Sequence, residues 1–192
     1  SLYRQWHYIL GLRDKAAYMD VPQVTSKAPI YMAPPINGSP LIAKALLDHA
    51  NELSTNPKKE TVIVIAHGPE DNVDNEPDLN EIRKLTAWMK KKSRFSSIEA
   101  LNIQDDAPRE VRAANVQTFR KLVTDAQARG EEVIVVPYVN NAAGLQPKLQ
   151  KDLEGLTFRF NEKGVSDHPN YNKWITESVK TTVKQVKKQK KS

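Results

Sequence analysis

The chain has 192 residues, of which 39% are hydrophobic and 27% are charged, and its formal net charge is +6. These values are typical of a globular protein with one good-sized core, and the absence of cysteine excludes disulfides and thiolate metal sites. No apolar run in the sequence is long enough to cross a membrane. We therefore expect a cytoplasmic protein with no membrane partner.

The positive charge is concentrated at the carboxyl end of the chain. Five lysines fall within residues 184–192, and they are Lys184, Lys187, Lys188, Lys190 and Lys191. Lysines suit the negative end of a helix dipole, and the segment has no interleaved aromatic residues that could stack on bases. We interpret residues 184–192 as a solvated basic tail and do not expect a nucleic-acid partner.

The amino end of the chain reads as a helix that is entered in its middle. Leu2, Trp6 and Ile9 recur at helical spacing from the first residues onward. This pattern predicts a helix within residues 1–17. We therefore expect the chain to be a piece of a longer protein.

Residues 18–59 read as a linker followed by a helix. Prolines disfavour helix over residues 18–38, and Ser39-Pro40 is a typical helix start. His49 falls on the apolar face of this helix. We interpret it as a histidine at the edge of the core rather than a ligand.

From Glu60 onward, strand and helix patterns alternate. The predicted strands are 61–66, 97–103, 132–137 and 156–160, and the predicted helices are 78–92, 108–129 and a last one from 169 that turns Trp174, Ile175 and Val179 inward. This order with short connections predicts parallel strands with helices on both faces. The fold class is α/β, a four-stranded parallel flavodoxin-like three-layer sandwich over residues 60–183.

His67 ends the first predicted strand and is followed by Gly68, which permits a sharp turn. Ligands of open α/β sheets bind at the carboxyl ends of the strands. A neutral imidazole at this point can be a metal ligand or a proton acceptor. A turn histidine bonded to its neighbours explains the same residues, and the segment alone leaves both interpretations open.

Other polar residues follow the predicted strands. Glu70 comes just after His67, Asp105 and Asp106 follow the second strand, and a polar loop over 138–146 follows the third. These loops should be neighbours, since the strands are parallel. An acidic rim with one imidazole could admit a hydrated divalent cation. Acidic residues before a helix also favour its positive end, and we interpret Asp105 and Asp106 as helix caps.

The motifs of several common enzyme classes are absent from the sequence. It contains no GxGxxG or GxxxxGK phosphate loop, and neither a GxSxG elbow nor an HExxH pair. We therefore expect neither a nucleotide cofactor nor a serine hydrolase. Asp167 and His168 come directly before the last helix, where we interpret Asp167 as a cap and His168 as a structural residue.

Three segments together resemble the type II tetrapyrrole metal chelatases, and more narrowly the sirohydrochlorin cobalto- and ferrochelatases of the cobalamin and sirohaem pathways. Ala66-His67-Gly68 after a strand is similar to the family's strand-plus-HG signature. Val135-Val136-Pro137 followed by 143–146 is similar to its third strand and G-x-H loop. Asp167-His168-Pro169 is similar to its terminal HP segment. The resemblance covers roughly residues 60 to 180.

The resemblance implies roles for particular residues. His67 would bind a divalent metal substrate (cobalt, iron or nickel) and accept pyrrole protons, and Glu70 could assist proton removal. Where the family has a second histidine, this chain has Gln146, a weak ligand and a poor base. Gln146 could instead hydrogen-bond the macrocycle's carboxylates together with Asn140, Asn141 and the Gly144 turn.

The resemblance also implies a second lobe, because larger members have two lobes that face each other across the tetrapyrrole. We expect this chain to be the second lobe, completed by a missing amino-terminal lobe or by a second copy. On this resemblance, residues 1–17 would be the closing helix of the missing lobe, and residues 18–59 would be the linker and a bridging helix. The function it implies is insertion of a divalent metal into sirohydrochlorin. The alternatives are a non-catalytic tetrapyrrole- or metal-binding lobe and an unrelated flavodoxin-like partner-binding module.

Overall fold

The computed structural model describes residues 2–36 and 38–189, so Ser1, Asn37 and the lysines 190 and 191 of the basic tail lie outside the described residues. The helices are α1 (Leu2–Ile9), α2 (Pro40–Leu53), α3 (Asn72–Lys92), α4 (Arg109–Ala128), α5 (Leu145–Asp152) and α6 (Pro169–Gln189). The strands are β1 (Glu60–Ala66), β2 (Ser97–Asn102), β3 (Glu132–Pro137) and β4 (Arg159–Phe160). Among the described helices, none combines the length and apolar character needed to cross a bilayer.

The strands form one sheet in the order β2-β1-β3-β4, and every pairing is parallel. β1 is central: Val62 pairs with Ile98 on one side and with Ile134 on the other. β1 and β3 are continuous apolar runs because both of their faces are buried, as is usual in parallel sheets. The predicted α/β class with a four-stranded parallel sheet is confirmed.

The two faces of the sheet are covered by different helices. Alternate side chains of β1, such as Ile63 and Ile65, join a buried cluster with Phe119 and Val123 of α4 and Leu149 of α5. On the other face α2 and α3 pack against each other, α3 against β2, and α2 against β3. The sandwich therefore has three layers, with the carboxyl ends of β1, β2 and β3 at one edge.

The chain divides into two compact units, residues 37–174 and residues 1–36 with 175–192. In the second unit, the buried side chain of Gln5 accepts hydrogen bonds from the backbone N–H groups of Ala17 and Tyr18 and donates one to the Met19 carbonyl. The residues after α1 are therefore held against it without regular structure. α1 ends at Ile9, before the end of the predicted helix.

Two further elements differ from the sequence prediction by more than one residue. α3 begins at Asn72 instead of residue 78, because the Asp71 carboxylate accepts a hydrogen bond from the Asp74 N–H at 2.8 Å and starts the helix earlier. β4 contains only Arg159 and Phe160, which pair with Ile134 and Val135 of β3. Both elements exist where the pattern indicated, and only their lengths were wrong.

The expectation that the last helix turns Ile175 and Val179 inward was wrong. These side chains are 40% and 52% exposed. The less exposed positions in this part of α6 are Ser178, Thr182 and Val186. Trp174, the third residue that we expected to turn inward, is partly covered and lies on the same line of the helix as these positions. The covered line therefore combines apolar and polar residues, which apolar periodicity alone does not predict.

Candidate functional site

The site is built on the end of the central strand. His67 directly follows β1, and its backbone remains tied to the segment after β2, since the Gln104 N–H donates to the His67 carbonyl at 2.8 Å. One residue earlier, the Ile103 N–H donates to the Ala66 carbonyl at 2.8 Å. The loops after β1 and β2 are therefore neighbours, as the parallel sheet predicted.

Gly68 makes the turn that aims His67 out of the strand. Its φ is +74°, and a Cβ atom at this position would lie 2.6 Å from the Cβ of Asn102. Asn102 is buried, and its amide donates to the side-chain oxygens of Asn75 at 2.9 Å and Asp78 at 3.0 Å. Glycine is therefore required here both for the backbone conformation and for the close approach.

The His67 ring is accessible and has an oxygen atom near each nitrogen. Nδ1 lies 3.0 Å from the Gly68 carbonyl oxygen. Nε2 lies 3.3 Å from Oδ2 of Asp106, and the two side chains are 56% and 64% exposed. A carbonyl oxygen can only accept, so Nδ1 is the donor in the first contact, and Nε2 faces the Asp106 carboxylate at the edge of the sheet. The interpretation of His67 as a turn histidine explains the contact of Nδ1 with its neighbour Gly68 but not the contact of Nε2 with Asp106.

Gln104 holds the two loops together, and nothing in the sequence singled it out. It is buried and has a φ of +43°, a left-handed conformation that is uncommon for residues other than glycine. Its side-chain amide donates to the Pro69 carbonyl at 3.0 Å and accepts from Asn115 of α4. The only available signal was a polar residue directly after the apolar strand.

Asp105 and Asp106 do not cap the next helix, so that interpretation was wrong. The N-cap position of α4 is Pro108, and no side chain caps it. Asp105 instead binds Lys148 and lies 3.4 Å from Nε of Arg112. The hydrogen bond from Lys148 lowers the pKa of Asp105 most, and the charge of Arg112 adds to the effect. Asp105 thus joins the loop after β2 to α4 and α5.

The remaining candidate residues occupy different parts of the same edge. Glu70 is exposed in the turn before α3. The Asn140 carbonyl accepts from the Ser166 hydroxyl at 2.5 Å, and the Asn141 side chain accepts from the Ala143 N–H at 2.8 Å. Gly144 precedes α5 in the left-handed conformation, with a φ of +81°.

Gln146 lies in a cavity of about 330 Å³ between α5 and β4. The described residues that line it are Gln146, Gln150, Leu156, Thr157, Phe158 and Phe160. His67 is not among them. The structure therefore brings together His67, Asp106 and the Gln104 bridge, whereas Gln146 contributes to a separate cavity.

His168 has structural contacts. Its Nδ1 accepts the Asn170 N–H at 3.1 Å at the start of α6, and its Nε2 lies 3.2 Å from Oδ2 of Asp48 on α2. Asp167 accepts from the Gly164 N–H at 2.8 Å and therefore stabilises the turn before α6. His49 is buried, as predicted, at an edge-to-face distance of 5.6 Å from His168.

Metal-binding side chains are sparse in the part of the chain that the structure describes. Within residues 2–36 and 38–189, no group of three or more histidine, cysteine, aspartate or glutamate side chains is arranged to hold an ion. The His67 and Asp106 pair is accordingly a two-residue arrangement.

Comparison with solved structures identifies the fold. SirB from Bacillus subtilis, solved with Fe³⁺, matches with a TM-score of 0.62 and 14% sequence identity over 82% of this chain and 59% of SirB. A multi-domain protein from Deinococcus radiodurans, DR2241, described as structurally similar to chelatases, matches with a TM-score of 0.48 and 13% identity over 72% of this chain and 29% of its own. No family model and no curated protein sequence matches the chain. The chain has the chelatase-like fold that its motifs predicted, and it spans about three-fifths of the length of SirB.

Proposed function

We propose that this chain is a chelatase-like lobe that takes part in inserting a divalent metal, cobalt or iron, into sirohydrochlorin. The observation that carries the proposal is the geometry of His67 at the end of the central strand. The bond from Nδ1 to the Gly68 carbonyl orients the ring and leaves Nε2 accessible. The presence of Fe³⁺ in SirB, which has the same fold, supports metal handling.

In this reaction the metal is a substrate, and the protein must supply bases as well as a metal ligand. Metal enters the macrocycle as the pyrrole nitrogens lose their protons, so a base beside the ion lowers the barrier. We assign the metal contact and proton acceptance to His67, with Glu70 as a second acceptor on the same loop. Asn140, Asn141, Gly144 and Gln146 would hydrogen-bond the carboxylates of the macrocycle.

The proposal includes a facing lobe across the tetrapyrrole. The chain matches SirB over 59% of that protein, and one sheet edge offers only one wall of a cleft. The second wall would come from a preceding lobe of the same protein or from a second copy of this chain. On composition we place this assembly in the cytoplasm.

A spectrophotometric titration with sirohydrochlorin, with and without Co²⁺, tests the proposal. Wild type should produce the spectrum of the metallated macrocycle, and His67→Ala should not. His7→Ala makes the same change at a half-buried histidine of α1 and should behave as wild type. Metal insertion that is unaffected by His67→Ala would refute the assignment of His67.

A second candidate is a non-catalytic lobe that binds the tetrapyrrole or the metal. The position of Gln146 in a cavity that does not include His67 favours it, because a neutral amide in that cavity cannot share proton removal. The same titration separates the two functions. Binding without insertion in wild type, restored to insertion by Gln146→His, would establish this second function.

A further inference from the structure

Exposed apolar side chains are concentrated in one of the two compact units, the one formed by residues 1–36 and 175–192. Ten large hydrophobic side chains are exposed among the described residues, and nine of them belong to this unit. They are Trp6, Leu12, Tyr18, Met19, Val24, Tyr31, Ile175, Val179 and Val183, and the tenth is Val73 of α3. Single exposed hydrophobic residues are ordinary on a protein surface, but their concentration in one unit indicates an interaction surface.

The same unit carries the positive charge of the protein. Residues 1–36 and 175–192 contain ten lysines and arginines but only three aspartates and glutamates, which gives a formal charge of +7. Residues 37–174 contain 19 basic and 20 acidic residues and so carry a formal charge of −1. Apolar exposure and positive charge therefore coincide in one unit, whereas the unit that holds the candidate site is nearly neutral.

The helix α6 carries both features side by side. Ile175, Val179 and Val183 are each 40% or more exposed, and they recur every four residues, a step that turns only about 40° around a helix. These three side chains therefore form one apolar stripe. The face beside the stripe is exposed and basic, and its lysines are Lys180, Lys184, Lys187 and Lys188. Glu177 is the only acidic residue of the helix. An apolar stripe beside a lysine-rich face is typical of helices that lie in a membrane interface.

The lysines of α6 are not used in ion pairs. Within the described residues, the lysines that form ion pairs are Lys44, Lys84, Lys121, Lys148 and Lys163, and none of them lies on α6. The basic face of α6 therefore keeps its charge for a partner outside the chain. That partner must be negative over about 20 Å, the length of helix between Ile175 and Lys188, and must offer an apolar layer directly beside the negative one.

We propose that α6 lies on an anionic lipid surface. Ile175, Val179 and Val183 enter the boundary between headgroups and acyl chains, and the lysines beside them contact the headgroups. The negative potential of the cytoplasmic leaflet supplies the complementary charge. A second copy of the chain fits less well, because two α6 helices would bring lysine against lysine. We expected no membrane partner because no run of the sequence spans a bilayer, but a helix that lies on the surface needs no spanning run, and the proposal revises that expectation.

Flotation of the full chain with lipid vesicles tests the proposal. Vesicles of phosphatidylcholine alone are compared with vesicles in which about a third of the lipid is phosphatidylglycerol, since only the second kind is anionic. Wild type should bind the anionic vesicles at least about tenfold more tightly than the neutral ones, and less tightly as salt is added. Two double variants, Val179→Ser with Val183→Ser and Lys180→Gln with Lys184→Gln, should each weaken this binding at least about tenfold.

Matched controls lie on α3. Val73→Ser changes an apolar side chain that is 85% exposed, Lys91→Gln with Lys92→Gln removes two exposed lysines, and both variants should bind as wild type. Failure of wild type to bind anionic vesicles would refute the proposal. An equal loss in the α3 lysine variant, or no loss in the valine variant of α6, would reduce the contact to net charge and overturn the role of the stripe. Sedimentation velocity of the free protein covers the remaining occupant: a dimer that the valine variant dissociates would mean that a second copy covers the stripe, which would also overturn the proposal.

Discussion

Gly68 determines where the His67 side chain can be, and its replacement should be unusually harmful. An alanine there must adopt a φ of +74° and bring its Cβ to 2.6 Å from Asn102, a buried residue. The left-handed backbone costs about 1 to 2 kcal/mol for a residue with a Cβ, and the overlap with Asn102 adds at least about 1 kcal/mol. We expect Gly68→Ala to lower the free energy of unfolding by the sum of these effects, as measured by urea denaturation.

Gly130 provides the matched control for this prediction. Its φ is +72°, and a Cβ there would meet no heavy atom within 4 Å among the described residues. Gly130→Ala should therefore lose only the backbone contribution of about 1 to 2 kcal/mol. Equal losses in the two variants would show that Asn102 moves away without cost, and the close approach would then have no energetic weight.

The pairing of His67 with Asp106 shows what a residue pattern can and cannot predict. The end of an apolar strand followed by glycine was sufficient to locate His67, because strand burial fixes the alternation of side chains up to that point. The direction of Asp106 depends on a left-handed residue, Gln104, whose conformation has no signal in its residue type. The sequence therefore identified one member of the pair and assigned the other to a helix cap.

Glu60 connects three elements at the opposite end of β1. Its side chain is 1% exposed, accepts the Thr55 and Asn56 N–H groups at 2.8 and 3.0 Å, and lies 2.8 Å from Nη2 of Arg159 on β4. Burial would raise the pKa of Glu60, but the bonds from the Asn56 backbone, the Ser54 hydroxyl, the Thr55 backbone and Arg159 lower it to about 2. We expect Glu60→Gln to reduce the unfolding free energy by about 2 to 3 kcal/mol at pH 7.

The pH dependence and a second glutamate make this prediction specific. Because the pKa of Glu60 is lower in the folded protein than in the unfolded chain, its ionised carboxylate stabilises the fold above about pH 4.5, and this stabilisation is lost as the pH falls toward 2. The difference in unfolding free energy between wild type and Glu60→Gln should therefore shrink in acid. Glu132 binds the same Nη2 of Arg159 at 2.6 Å but is 68% exposed. Glu132→Gln should change stability by less than about 1 kcal/mol, and a similar loss in both variants would contradict the role of burial.

The elements themselves were predicted to different degrees for physical reasons. β1 and β3 were recognised almost to the residue, because strands buried on both faces are continuous apolar runs with polar ends. The apolar face of α3 was recognised from the sequence, but the residue at which the helix begins was not. Asp71 caps the helix through a side-chain hydrogen bond, and many acidic residues in this segment could have made the same bond. β4 pairs through two residues only, too few for an alternating pattern to define.

At the scale of the whole molecule, the alternation of strands and helices predicted the architecture, whereas the order of the strands was contained only in the flavodoxin-like assignment. Alternating strands and helices imply parallel pairing and right-handed crossovers, yet several strand orders satisfy both. The observed order places β1 between β2 and β3, which is what brings His67 beside the loop after β2. The candidate site is therefore a consequence of long-range pairing that no local pattern encodes.

His49 should make the stability of the whole molecule dependent on pH near neutrality. It is buried on α2, and its Nδ1 has no hydrogen-bond partner among the described residues. Burial lowers its pKa, with Glu52 and Asp167 acting in the opposite direction and His168 and Lys163 reinforcing it. The unfolded chain therefore takes up a proton before the folded protein does as the pH falls below about 6.5.

We accordingly expect the free energy of unfolding to be fully maintained above about pH 6.5 and to decline as the pH falls below it. Urea denaturation at intervals between about pH 8 and pH 5 measures this decline, in a range above that in which the carboxyl groups titrate. In His49→Gln the decline should be smaller, because the titrating group is gone. Superimposable profiles for wild type and His49→Gln would show that the fold accommodates a charged imidazole on α2, and the buried position of His49 would then have no proton-linked cost.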